Sequence, residues 1–170
     1  MKELKYLIIH CADTPPNMEV TAKMIRRWHM DPPPRGRGWS RPGYSDLIRR
    51  DGIIENLNEY DEDKWVQNNE ITWGAKGFNG VSRHLCLAGG KDENGKSLPT
   101  GDFDRMLTPE QFIRLRHYVH EFIINHPECQ ILGHYAVNDH KTCPGFDVPK
   151  FLRFIDVPEL YIFNQKKQRL

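Results

Sequence analysis

A chain of 170 residues with 38% hydrophobic and 28% charged side chains suits one domain around one core. Its net charge of +1 gives no electrostatic case for a nucleic-acid partner or for an anionic membrane surface. No apolar run approaches the ~20 residues a membrane helix needs, and the apolar stretch behind the basic start is too short for a signal peptide, so the chain is expected to be cytoplasmic as synthesised.

Leu4 to Ile9 is a compact apolar run that reads as a buried strand ending at His10. "CADTPPN" follows as a loop, broken by two prolines. Thr21 to His29 reads as a short helix with Met24, Ile25 and Trp28 on one face. Asp31 to Gly43 is a Pro/Gly/Arg-rich loop containing Trp39, long enough to line a functional groove. Tyr44 to Ile48 and Ile53–Ile54 flank "RRDG" as a hairpin, with Asp51-Gly52 expected at the positive-φ positions of its turn. Val81 to Leu87 is the next strand, and "GGKDENGKSL" a polar loop.

Thr108 to Asn125 is the clearest helix. Thr108 is its N-cap, Pro109 suits the first turn, and Gln111 completes a capping box. Phe112, Leu115, Val119, Phe122 and Ile123 form its apolar stripe, and His117 and His120 read as solvated. Gln130 to Leu132 is a short strand leading into Gly133-His134. Asp147 caps a last helix, Val148 to Phe154. The order predicts a single α/β domain over residues 1–160, a central mixed sheet flanked by helices, with a short tail over 161–170.

Cys11, Cys86 and Cys129 read as small buried hydrophobes. Cys143 differs, because "GHYAVNDHKTCPGFD" crowds His134, His140 and Lys141 around it. His10 and His134 each follow a short strand, where a side chain is rigid yet accessible. Two imidazoles and a thiolate suit zinc, and three protein ligands would leave a fourth tetrahedral position open, the catalytic arrangement. Spacing alone does not separate this reading from a polar loop with an incidental thiol.

Five segments occur in order: "IIHCADT", "RRDG" after a Gly-Tyr strand, "AKGFN", "LCLAGGKDENGK" and "HKTCPGFD". Together they resemble the zinc-dependent N-acetylmuramoyl-L-alanine amidases of the phage-lysozyme type, related to peptidoglycan recognition proteins. The resemblance runs from about Ile8 to Phe151. It implies a phage-lysozyme-like amidase fold and one Zn2+ held by His10, His134 and Cys143, with Tyr44 and Lys141 assisting catalysis. It also implies stem-peptide contacts from Phe78 and Asn79, beside a groove lined by Trp39. The substrate would be peptidoglycan, cut between N-acetylmuramic acid and L-alanine by a monomer, as in a phage or prophage lysin. Three departures stand out. Ser45 and Gly74 occupy positions where the family often has histidine, and the His–Cys segment is one residue longer, which admits His140 beside the preferred His134.

The chemistry fits the residues. An amide is a poor electrophile, and zinc supplies both Lewis acidity and water with a pKa lowered toward ~7. Lys141 can meet the oxyanion with positive charge, and Tyr44 can offer a hydroxyl. No carboxylate stands out as the general base; Glu55 and Asp46 are the candidates, although an Asp in a loop or hairpin is usually just solvated. Competing readings are a Cys143 nucleophile with a histidine base, a peptidoglycan-binding module without hydrolysis, and a structural zinc closed by Cys11 or His140 as fourth ligand.

Overall fold

The computed structural model describes residues 1–164; the predicted tail falls largely on 165–170, outside them. In chain order the elements are β1 (Lys2–Glu3), β2 (Tyr6–Cys11), α1 (Ala22–Met30), β3 (Asp46–Ile48), β4 (Ile54–Asn56), β5 (Trp65–Val66), β6 (Ser82–Leu87), α2 (Pro109–Asn125), β7 (Gln130–Gly133) and α3 (Val148–Phe154). Five strands form one mixed sheet in the order β4-β3-β6-β2-β7, and β1 and β5 form a separate antiparallel pair. β2 runs parallel to both β6 and β7, and β3 runs parallel to β6, so within the five-stranded sheet of the described residues only the β3–β4 hairpin is antiparallel.

The central strands are apolar on both faces because both faces are covered. Leu7, Ile9, Leu85, Leu87 and Ile131 pack beneath α2 and α3, against Leu115, Val119, Phe122, Phe151 and Leu152. On the opposite face Leu47, Cys86 and Ala88 pack against Ala22 and Ile25 of α1. Paired residues of parallel strands share a face. The register His10↔Cys86 therefore puts His10 on the α1 side, near the carboxyl end of β2.

The helix caps follow the sequence. Thr21 accepts from the Met24 amide, and Thr108 and Gln111 form a reciprocal capping box. The hairpin turn differs from expectation: Gly52 has φ 78° and Asp51 has none of this strain. Gly52 N–H donates to the Arg49 carbonyl, and the Asp51 carboxylate accepts from Ile53 N–H, so one left-handed residue suffices. His120 is also not simply solvated, since its Nε2 lies 3.0 Å from the Ile155 carbonyl. Ile162 bridges to Ile131 and Phe163 packs on Tyr6, which ties residues up to 163 onto the sheet edge.

Candidate metal centre

β2 and β7 lie side by side and parallel, so His10 and His134, at or just past their carboxyl ends, come together. Their ring centroids are 4.6 Å apart. Cys143 reaches them from a loop that is tied down at both ends. The Tyr135 amide donates to the Cys143 carbonyl, and the Tyr135 hydroxyl accepts from the Val148 amide at the start of α3. The Cys143 sulfur accepts the backbone N–H of Cys11 at 3.2 Å.

The donor atoms of His10, His134 and Cys143 all lie within 4.8 Å of one another, and His10 Nδ1 is 3.9 Å from Cys143 Sγ. Zinc bonds of about 2.0–2.3 Å at tetrahedral angles would set donors roughly 3.3–3.8 Å apart, so a small inward shift would seat the ion. Neither Cys11 nor His140 belongs to this group of three. His140 is exposed and lines the cleft.

The electrostatics suit cation binding. Burial pushes the His10 imidazole well below its usual range, helped by His84 and His134. His134 is held down to about 4 by burial and then by Lys141. Both rings are therefore neutral near pH 7, as ligands must be. Contact with the Cys11 thiol, and then burial, push the Cys143 thiol up. A nucleophilic cysteine requires the opposite shift, whereas a bound cation would itself stabilise the thiolate.

A cleft of about 520 Å³ is lined by His134 and Cys143, with His10 buried beside them. Tyr44, Lys141, His29, Arg37, Trp39 and Trp73 line it. The Tyr44 ring packs 5.0 Å from that of His10, and burial holds its hydroxyl well above the usual tyrosine range. Trp39 faces Trp73 at 6.0 Å and carries Arg37 over its ring at 5.0 Å. His29 accepts from the Gly43 amide and stacks between Trp39 and Tyr44, shaping the cleft wall.

Phe78 and Asn79 are not brought into this cleft. Phe78 packs with Tyr6 against Ile8, Ala75, Leu132 and Phe163, and Asn79 Oδ1 accepts the Ala75 amide at 2.8 Å to close a turn. Both side chains are partly buried and engaged in packing and in a turn. The two carboxylates considered as bases are also engaged elsewhere. Asp46, 2% exposed, accepts from Tyr60, Tyr118 and Asn56. Glu55 accepts the Ala22 amide at the start of α1 and pairs with Arg49.

Sequence reasoning passed over His84. It is fully buried in β6, with Nδ1 3.0 Å from His10 Nε2. The available signal was a histidine directly before the apolar run Leu85 to Leu87 of this strand.

No family model matches the chain. It is 32% identical over 152 residues to the endolysin of Enterobacteria phage K11, covering 89% of this chain and 87% of that protein. The structure is similar to the N-acetylmuramoyl-L-alanine amidase LysC from Clostridium intestinale (TM-score 0.65, 21% identity, 92% of this chain and 88% of that one). It is also similar to Drosophila PGRP-LB (TM-score 0.63, 20% identity, 96% and 86%).

Proposed function

This chain belongs to the phage endolysin family, and we propose that it is a peptidoglycan hydrolase acting as a zinc amidase on the bond between N-acetylmuramic acid and L-alanine. The observation that carries the reading is the convergence of the His10, His134 and Cys143 donors, two of which line a cleft that also holds Tyr44 and Lys141. The similarity to an amidase named for that bond supports it.

In this reading His10, His134 and Cys143 hold one Zn2+. The ion supplies Lewis acidity and water of lowered pKa when bound. Lys141 lines the same cleft, and in this role its ammonium offsets negative charge developing on the amide oxygen. Tyr44 keeps its proton, because burial resists ionisation of the hydroxyl. It therefore acts as a hydrogen-bond donor and not as a base. Trp39 and Trp73 offer flat faces to a sugar, and Arg37 offers charge to the acidic stem peptide. The enzyme works as a monomer on the cell wall once released to it.

The deciding experiment pairs metal analysis of the purified protein with mass spectrometry of digested peptidoglycan. Stoichiometric zinc, loss of activity with chelator, recovery with added zinc, and intact stem peptides beside free lactyl ends are expected. Activity that survives chelation but not thiol alkylation would instead establish the cysteine-nucleophile mechanism.

A further inference from the structure

Among the described residues, the His84 side chain makes its one hydrogen bond to the candidate ligand His10. Its Nδ1 lies 3.0 Å from His10 Nε2, and its own Nε2 is buried with no hydrogen-bond partner among the described residues. The other His10 nitrogen, Nδ1, is the one that faces Cys143 Sγ. A metal at this site would therefore take Nδ1, which leaves the proton of His10 on Nε2 and in need of an acceptor. We propose that His84 is the positioning residue of the metal site: its Nδ1 accepts the His10 Nε2–H bond and so fixes both the tautomer and the rotation of His10. This rests on the metal reading above.

The usual partner for a ligating histidine is a carboxylate, a backbone carbonyl or water. A carboxylate at a position that is 0% exposed would bury a charge. A neutral imidazole with its proton on Nε2 accepts the same bond without adding charge. A dication with one thiolate then keeps a net charge of about +1, and its pull on a carbonyl is not damped by a second anion.

The surroundings are built to hold this ring. Ser45 donates its amide to the His84 carbonyl and accepts the His84 amide on its hydroxyl, which pins the backbone on either side of the ring. The chain at Gly74 passes directly over the imidazole. A Cβ there would stand 2.5 Å from His84 Nδ1 and 2.7 Å from its Cγ. Gly74 is one of the departures from the family pattern, a glycine in place of a frequent histidine. The space a side chain at 74 would take is filled by His84 from β6 instead, so the glycine at 74 and the histidine at 84 are one arrangement.

The test compares unaltered protein, His84→Leu and His84→Asn. Leucine fills similar volume without an acceptor, whereas asparagine places Oδ1 near the former Nδ1. Zinc affinity is read by competition with a chromophoric chelator, and ligand geometry by the visible bands of the cobalt-substituted protein. His84→Leu should lose about 10–100-fold in zinc affinity, the range for removing a ligand's supporting partner, with shifted cobalt bands. His84→Asn should recover most of both. Equal affinity in His84→Leu and the unaltered protein would overturn the positioning role. So would an Asn variant as weak as the Leu variant, since the loss would then come from packing. Failure of the unaltered protein to bind zinc would overturn the metal reading and this role together, a result distinct from loss of the His84 effect alone.

Discussion

Removing Lys141 should separate catalysis from metal binding. Lys141 lines the cleft but contributes no donor to the group formed by His10, His134 and Cys143. Its positive charge acts on that group from outside, helping to hold the His134 imidazole down to about 4. Lys141→Ala removes that repulsion, so zinc affinity should stay the same or tighten. Catalysis should move the other way. Loss of one oxyanion donor costs ~10²–10³ in kcat, or about 2.7–4 kcal/mol. The Lys141 side chain is solvent-exposed, and water screens an exposed charge, which places the expected loss near the lower end, about 10². Turnover on a purified muropeptide, measured with zinc content on the same preparation, reads both quantities. Lys141→Arg should retain part of the rate, because it keeps the charge in a different shape. The reasoning would be refuted if Lys141→Ala lost zinc in proportion to activity, or if its kcat stayed at the unaltered value.

His10→Ala, His134→Ala and Cys143→Ala should each abolish hydrolysis and stoichiometric zinc binding, whereas His140→Ala should keep both; normal zinc content in Cys143→Ala would break the assignment. Gly74→Ala pushes a methyl group into His84 and to 2.7 Å from the Gly43 carbonyl. Overpacking of this kind costs about 1–3 kcal/mol, so thermal denaturation should show a fall of several degrees and chelator competition a weaker zinc site. Glu62 is held down to about 2, first by the hydrogen bond from His126 and then by Arg83. A carboxylate lowered on folding stabilises fully above its free value of 4.5, and that contribution disappears as pH falls through about 2. Glu62→Gln should thus flatten the acid limb of the melting curve between those values. At pH 7 it should cost no more than about 1 kcal/mol, because the Glu62 side chain is 52% exposed.

The sequence shows most clearly what local chemistry dictates. Uninterrupted apolar runs mark β2 and β7 because a parallel sheet covered on both faces has no polar side to display. The Thr108–Gln111 box marks the start of α2 because helix ends leave donors that only such side chains can satisfy. The candidate ligand positions are legible for a related reason: a histidine at the end of a buried strand is both rigid and accessible. β1 and β5, at two residues each, leave no periodicity to detect. Phe78 and Asn79 match the family's pattern in sequence, yet their direction depends on how the turn from Ala75 folds back onto Tyr6, which is a tertiary matter. Asp46 and Glu55 looked like available bases for the same reason: their partners, Tyr118 and the α1 amide among them, lie far away in sequence.

Strand β6 shows why one buried histidine is hard to recognise from its neighbours. Arg83 and His84 are adjacent, polar and both buried, so composition treats them alike. Pleating sends them to opposite faces. Arg83 joins Glu62 and lies over the rings of Tyr60 and Phe122, on the side covered by α2. There it completes a polar cluster with buried Asp46 at its centre, whose groups satisfy one another and point away from the cleft. His84 turns to the α1 side and meets His10. The same strand thus carries a charged network that secures the sheet and, one residue later, an uncharged acceptor aimed at the ligand group. Keeping these on separate faces confines this buried charge to the stabilising side and leaves neutral imidazoles and a thiol at the candidate metal centre, the composition a borderline-soft cation favours.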